Sequence, residues 1–198
     1  MSTGVPRFGL RVPAPVDRFD VAVDRWFEKR ARGRRAVDAV MYGASAVGDH
    51  GLLWMGLALL QTARRRDRRA RRRLLRAWAG LMAESAVVNG PVKWMFRRTR
   101  PLHEGPRPRR LRQPRTSSFP SGHASSAFFG AALLRDGDPW WPLYYVAAGV
   151  VAASRVHVKI HHASDVVGGA VIGAALGELA RRLVPLESPK PKPGCSSP

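Results

Sequence analysis

Cysteine is almost absent from this chain of 198 residues, and acidic side chains are scarce. The one cysteine, Cys195, excludes an internal disulfide and leaves the redox compartment undetermined. Only 14 aspartates and glutamates oppose 34 lysines and arginines, which gives a formal net charge of +20. We expect no secretory signal peptide near the N-terminus, because charged residues interrupt the segment 12–27 and leave no continuous apolar run.

The large positive charge would fit a nucleic-acid-binding protein, but its distribution argues against one. Nine arginines fall within residues 64–76, between two apolar segments, rather than over the face of a soluble domain. Such a block is typical of a cytoplasmic loop in a membrane protein, where it is solvated or meets anionic lipid head groups. We therefore expect anionic lipid head groups, and no nucleic acid, as partners. The mean hydropathy of −0.22 averages charged and apolar stretches and does not indicate a soluble protein.

Long apolar stretches alternate with the charged ones. A membrane-spanning helix needs about 20 mostly apolar residues, a length that three of the five stretches reach. The pattern predicts an all-α, integral membrane helical bundle of about five transmembrane helices within a membrane-embedded domain, residues 36–184. The five stretches are residues 36–61, 75–96, 122–134, 140–153 and 166–184.

The two ends of the chain differ from this domain. Residues 1–35 are basic, and five apolar residues recur there at helical spacing, which predicts an amphipathic helix lying at the membrane surface. Residues 185–198 contain five prolines and are predicted to be a disordered tail. The apolar residues of the N-terminal helix are Val16, Phe19, Val23, Trp26 and Phe27.

Three polar motifs lie at the ends of the apolar stretches. They are Lys93 to Pro101, with the pattern Lys-x6-Arg-Pro; Pro120 to His123, which reads Pro-Ser-Gly-His; and Ser154 to Asp165, with the pattern Ser-Arg-x5-His-x3-Asp. Together they hold three cations, a glycine turn at a helix start, two histidines and a carboxylate. Those groups suffice for phosphoryl transfer without a metal.

With these motifs the chain resembles the type-2 phosphatidic acid phosphatase superfamily, which also holds the vanadium haloperoxidases. All three family patterns match without a gap or substitution, and the resemblance covers roughly residues 40–184. It implies an integral membrane phosphatase that hydrolyses lipid phosphates, either polyprenyl mono- or diphosphates or phosphatidic-acid-like lipids. It also implies a phosphohistidine intermediate and neither a metal nor another cofactor.

The resemblance assigns catalytic roles to three residues. His161 is the candidate nucleophile, and Asp165, one helical turn later, is expected to hold its other ring nitrogen as a donor. Ser164 is a candidate cap for the helix that follows. His123 is the candidate general acid for the departing alcohol.

The substrate phosphate is expected to meet side-chain cations and backbone donors. Lys93, Arg100 and Arg155 are the predicted cations. The backbone N–H groups of Ser121, Gly122 and His123 are predicted to be free at the start of a helix, whose dipole favours an anion. Arginines of the following loop, Arg97 and Arg98 among them, are expected either to attract phosphorylated head groups or to attach to the lipid surface.

The arginine block sets the expected topology in the cell membrane. If residues 64–76 are cytoplasmic, a multi-pass chain brings all three motifs to the outer, extracytoplasmic face. The same scheme leaves the basic N-terminus outside, against the positive-inside tendency. Gly169, Gly173 and Gly177 recur every four residues, which predicts a close helix contact. The sequence leaves open whether the chain forms a homo-oligomer.

Several alternatives remain at this stage. A phosphorylated prenyl-sugar lipid is a further candidate substrate. A metal hydrolase would use the side chains of His157, His161, His162 and Asp165 as ligands. A haloperoxidase would hold vanadate in the same pocket, and a non-catalytic protein would bind lipid phosphates without turning them over. Nucleic-acid binding rests on the net charge alone.

Overall fold

The computed structural model describes residues 12–65, 67–103, 107–109, 111 and 116–186. Residues 1–11 of the basic N-terminal segment and residues 187–198 of the predicted disordered tail lie outside them. The regular secondary structure of the described residues is helical. The α-helices are α1 Ala14–Arg30, α2 Arg35–Val47, α3 Leu52–Arg65, α4 Arg68–Val87, α5 Lys93–Met95, α6 Gly122–Leu134, α7 Trp141–His157 and α8 Ala163–Leu183.

Helix α6 lies at the centre of the bundle and packs against α4, α7 and α8. Its closest neighbour is α8, where glycines remove the side chains that would separate the two backbones. A Cβ atom at Gly173 would lie 2.1 Å from the carbonyl oxygen of Ser125, and one at Gly169 would lie 2.4 Å from that of Ser121. The close helix contact predicted from the glycine spacing is therefore confirmed.

One helix of the described residues, α8, is long and apolar enough to cross a membrane by length and composition, with a mean hydropathy of 1.4. The other bundle helices are shorter or more charged: α3 has 14 residues, α6 has 13 and α7 has 17. The count of about five membrane helices therefore stays a prediction.

The apolar stretch 36–61, which was predicted to be one helix, divides into α2 and α3 at the 3-10 turn Asp49–Gly51. His50 has φ +54° and Gly51 has φ +69°. Two successive residues in the left-handed region cannot continue a right-handed helix, so the chain turns there. This turn carries Asp49 to the functional site.

The arginine block 64–76 is mostly helical and only partly solvated, which corrects its interpretation as a loop. Helix α3 continues to Arg65, and Asp67 caps α4 by accepting a 2.5 Å hydrogen bond from the N–H of Ala70. Arg76 is buried and donates to Asp136 Oδ2 at 2.6 Å. Asp136 also binds Arg181 of α8, so part of the block ties the helices together.

The predicted N-terminal amphipathic helix is present as α1, which packs on α7 and α8. Phe27 is buried against Val156, whereas Phe19 and Trp26 are exposed. Arg32 follows the helix and donates to the carbonyl oxygens of Val156 and His157. The N-terminal segment therefore covers the end of the bundle where the third motif lies.

Candidate active site

The three motifs meet at one cavity of about 240 Å³, enclosed by α4, the turn Asp49–Gly51, the N-terminal turns of α6, the end of α7 and the loop between α7 and α8. Two of the predicted residues, Ser121 and Asp165, lie behind its wall and are fully buried. The other six line the cavity: Lys93, Arg100, Gly122, His123, Arg155 and His161.

His161 lies in the short loop between α7 and α8, which folds back so that the N–H of His161 donates to the carbonyl oxygen of Arg155 at 3.2 Å. Its Nε2 is 3.1 Å from Nη1 of Arg100. Because a guanidinium can only donate, Nε2 is the nitrogen that carries the lone pair. Burial of the ring lowers the pKa of His161 well below its usual value. The imidazole is therefore neutral near pH 7, as a nucleophile must be.

Asp165 stands behind His161 but makes its short contacts elsewhere. Its carboxylate accepts from Arg98 at 2.6 Å, from the N–H of His162 at 2.8 Å and from the hydroxyl of Ser118. Its Oδ2 is 3.7 Å from Nδ1 of His161, which is longer than a hydrogen bond. The expected His161–Asp165 hydrogen bond is therefore not formed in this structure, although the charge of Asp165 faces Nδ1.

The start of α8 also differs from the expectation. The N-cap residue is His162, and the Asp165 side chain closes the first turn by accepting from its backbone N–H. Ser164 is not the cap. Its N–H and its hydroxyl both donate to Asp20 of α1.

His123 occupies the first turn of α6 and faces a carboxylate that the sequence patterns did not assign to the site. Its Nε2 is 2.9 Å from Oδ1 of Asp49. Nε2 has no hydrogen-bond partner of good geometry among the described residues, but the imidazole at this distance lowers the pKa of Asp49, so this carboxylate is ionised at neutral pH. The one signal in the sequence is that Asp49 is an acidic residue inside an apolar stretch.

The three predicted cations are held by neutral groups. Lys93 donates to Asn89 Oδ1 at 2.8 Å, and Arg155 donates to the hydroxyl of Ser45. Arg100 donates to the carbonyl oxygens of Ile160 and Ser117 at 3.0 and 3.1 Å. Within the described part of the chain, none of the three forms an ion pair. Three cations and one carboxylate, Asp49, line this cavity, and the excess of positive charge favours an anionic ligand.

The helix start at Pro-Ser-Gly-His supplies fewer free donors than expected. The Ser121 side chain caps α6, but its N–H donates to the carbonyl oxygen of Asp165 at 3.0 Å and is not free. The N–H groups of Gly122 and His123 have no acceptor among the described residues. A Cβ at Gly122 would lie 2.6 Å from Asn89 Oδ1, so this position has no room for a side chain.

The side chains required by the metal-hydrolase alternative are not assembled. His157 belongs to a different cluster, where its Nε2 lies 2.8 Å from Oδ1 of Asp38. In the described ranges, no group of three or more histidine, cysteine, aspartate and glutamate side chains is arranged to hold a metal ion.

Arg98 is a functional residue whose predicted placement is wrong. Instead of facing head groups, it points inward and donates to Asp165 and Asp20, both at 2.6 Å. Glu84 likewise binds the hydroxyl of Ser125 on the neighbouring helix. No local pattern reveals these partners, because each joins residues far apart in the chain.

Comparisons with known proteins agree with the geometry. A family model described as the PAP2 superfamily matches residues 73–188. The chain is 34% identical over 162 residues to the decaprenylphosphoryl-5-phosphoribose phosphatase of Mycobacterium tuberculosis, a match that covers 82% of this chain and 89% of that protein. It is 35% identical over 111 residues to an undecaprenyl-diphosphatase of Sulfolobus acidocaldarius, a match that covers 54% of this chain and 52% of that protein.

The fold is similar to a solved structure as well. That structure is the crystal structure of a transmembrane PAP2-type phosphatidylglycerolphosphate phosphatase from Bacillus subtilis. The TM-score is 0.63, the sequence identity is 24%, and the match covers 86% of each chain.

Proposed function

This chain belongs to the PAP2 superfamily and is a lipid phosphatase, and on that premise we propose that it hydrolyses polyprenyl phosphates or diphosphates through a phosphohistidine on His161. The observation that carries the proposal is one cavity lined by a neutral histidine, a second histidine and three cations without a direct ion-pair partner among the described residues. Similarity to phosphatases named for prenyl substrates favours a polyprenyl lipid over phosphatidic acid.

In the first step, Nε2 of His161 attacks phosphorus. Arg100, which lies 3.1 Å from Nε2 and donates to it, transfers that hydrogen bond to a phosphate oxygen and so frees the lone pair. The phosphorus–nitrogen bond forms as the bond to the leaving oxygen breaks, and that oxygen takes a proton from His123. Lys93, Arg100 and Arg155 offset the charge that grows on the phosphate oxygens.

In the second step, the neutral His123 accepts a proton from a water molecule as the water oxygen attacks phosphorus. The phosphorus–nitrogen bond breaks, its electron pair returns to Nε2 of His161, and inorganic phosphate leaves. The negative charge of Asp165 faces Nδ1 of His161 and stabilises the ring while it carries the phosphoryl group. No step requires a metal.

A phosphorylated prenyl-sugar lipid is the second candidate substrate. A larger cavity of about 630 Å³ adjoins the first and shares Lys93 and Arg100 with it, so a head group bulkier than a phosphate has space there. The Mycobacterium relative, which covers most of this chain, is named for a phosphoribose lipid. This second cavity supports the sugar lipid as the second candidate substrate.

We further propose a multi-pass location in the cell membrane with the cavity at the outer face. The site lies at the start of α6 and α8, whereas the arginine-rich junction of α3 and α4 contacts the far end, where Arg65 donates to the carbonyl oxygen of Gly137. Basic segments remain preferentially on the cytoplasmic side.

The experiment is phosphate release by the detergent-purified protein from phosphatidic acid, prenyl monophosphate, prenyl diphosphate and a phosphorylated prenyl-sugar lipid, with excess chelator. We expect chelator-resistant release from the prenyl lipids, abolished by His161→Ala and partly restored to that variant by added imidazole. His162→Gln, which keeps its backbone N–H and whose ring lies outside the cavity, is the matched control and should stay active.

Other outcomes discriminate between the alternatives. Chelator-sensitive release would favour a metal hydrolase, and vanadate-dependent halide oxidation would favour a haloperoxidase. Saturable lipid binding without any release by the folded protein would favour a non-catalytic role.

A further inference from the structure

The turn between α2 and α3 places a carboxylate against the general acid of the proposed reaction. Asp49 belongs to this turn, lines the catalytic cavity and lies 2.9 Å from Nε2 of His123. The turn lies outside residues 73–188, the part of the chain that matches the family model. The backbone reverses here because His50 and Gly51 are both left-handed, so the position of Asp49 depends on an unfavourable conformation at His50.

The charged side chains around His123 explain why a carboxylate beside it matters for its protonation. Lys93 and Arg155 line the same cavity, and a positive charge close to a histidine disfavours its protonated form. Asp49 is the carboxylate that faces His123 among the described residues that line the cavity. A general acid must hold its proton until the leaving oxygen takes it, and two nearby cations oppose that state. An ionised carboxylate at 2.9 Å favours that state.

We propose that Asp49 is a positioning residue for His123: when His123 is protonated, its ring turns slightly so that Asp49, already 2.9 Å away, accepts the Nε2 proton, which fixes the ring plane and leaves Nδ1 as the nitrogen that protonates the departing alcohol. This inference rests on the proposed function. The proton on Nδ1 moves to the leaving oxygen as the phosphorus–oxygen bond breaks, while the Nε2 proton stays on the ring, hydrogen-bonded to Asp49. His123 is then neutral and ready to accept a proton from water.

The role also concerns the class of substrate. A leaving alcohol needs a proton at the moment the bond breaks, whereas an aryl oxide leaves readily without one. Asp49 is therefore needed for alkyl and prenyl phosphate monoesters, and much less for aryl phosphates. General acid catalysis accelerates a reaction about 10²–10⁴-fold. A histidine ring held in the wrong orientation loses part of that acceleration.

The test compares Asp49→Asn with the unmodified protein on two substrates, a prenyl monophosphate and p-nitrophenyl phosphate, by kcat and KM. Because both substrates share the hydrolysis of the phosphohistidine, the comparison uses kcat/KM, which reports the first step. We expect kcat/KM for the prenyl substrate to fall about 10- to 100-fold and kcat/KM for the aryl substrate to change less than about threefold. In a His123→Ala background, Asp49→Asn should cause no further loss on the prenyl substrate, because the two residues act as one unit.

Asp38→Asn is the matched control, because it removes the carboxylate of the other histidine pair, which lies outside the catalytic cavity. It should leave the ratio of the two kcat/KM values unchanged. An equal fall of both kcat/KM values in Asp49→Asn would indicate a merely structural role and overturn the inference. An unchanged kcat/KM for the prenyl substrate would overturn it as well. If the unmodified protein turned over neither substrate, the proposed function itself would fail, and the role of Asp49 with it.

Discussion

Among single residues, Arg98 connects three parts of the molecule. Its Nη1 donates to Asp165 and to the hydroxyl of Ser164 at the start of α8, and its Nη2 donates to Asp20 of α1. Both carboxylates are buried, so each needs a charged partner. The planar fork of an arginine directs separate nitrogens to the two carboxylates, whereas the donors of a lysine all share one nitrogen and cannot match both positions equally well.

We expect Arg98→Ala to lower both stability and turnover. Removing one partner of a buried ion pair costs about 3–5 kcal/mol, because the other charge is left uncompensated. Asp165 would also lose the contact that fixes it beside His161, so kcat should fall at least about tenfold. Thermal unfolding in detergent and kcat on a prenyl phosphate measure the two effects.

Arg98→Lys should give an intermediate result, because it keeps the charge and loses the second contact. Arg109→Ala removes an exposed arginine of the same loop and serves as the control. Wild-type stability and turnover in Arg98→Ala would contradict the role of this residue.

The sequence was sufficient to identify cationic residues that the fold brings to one cavity, and insufficient to identify the residues that support the site. Lys93, Arg100 and Arg155 have a type and a spacing that indicate phosphate binding. Asp49 lies beside His123, which is 74 positions later in the chain, and Arg98 binds Asp165, which is 67 positions later. No rule of local sequence spacing predicts contacts between residues so far apart. The positions of these two supporting residues became clear only from the three-dimensional structure.

Among the elements, the contact between α6 and α8 depends most directly on residue size. At Gly173 an added Cβ would lie 2.1 Å from a backbone oxygen of α6, which no change of rotamer can relieve. The two helices would have to separate, and both start at the active site.

We therefore predict that Gly173→Ala lowers the free energy of unfolding by about 1–3 kcal/mol, the usual cost of overpacking. Gly149→Ala is the control, because that glycine lies inside α7 and a Cβ added there would meet no atom within 4 Å. Alanine there should be neutral or stabilising by about 0.5–1 kcal/mol, since it favours the helix. Thermal unfolding of both variants in detergent tests the pair, and equal shifts would contradict the packing argument.

The helices show where local patterns are reliable. The apolar stretch 122–134 coincides with α6, since it is bounded by a Pro-Ser-Gly cap and a charged turn. The stretch 36–61 continues through the turn at Asp49 without any change in hydropathy, so the break was not predicted. Helix α4 begins at Arg68 rather than near residue 75, because arginine favours a helix and Asp136 neutralises part of the charge.

In the molecule as a whole, the candidate active site and an ion-pair network lie at opposite ends of α6. The helix starts at the cavity of the candidate active site and ends at Leu134, next to the ion pairs that Asp136 forms with Arg76 and Arg181. Thirteen residues of α-helix span about 20 Å. Helices α1 and α2 lie at the cavity end of the bundle. If the cavity is at the outer face, these two helices therefore lie on the outer side of the membrane.

The proposed orientation predicts which positions a membrane-impermeant thiol reagent reaches in intact cells. The single Cys195 makes the experiment simple, because Cys195→Ser gives a background without cysteine. In it, Leu102→Cys beside the first motif and Arg25→Cys on α1 should react in intact cells, since both positions are exposed at the cavity end. Arg68→Cys, at the start of α4, should react only after permeabilisation. The reverse labelling pattern would be consistent with the same bundle in the inverted orientation. Labelling of Leu102→Cys and Arg68→Cys from the same side would contradict the bundle itself, because the two ends of α6 would then not lie on opposite faces of the membrane.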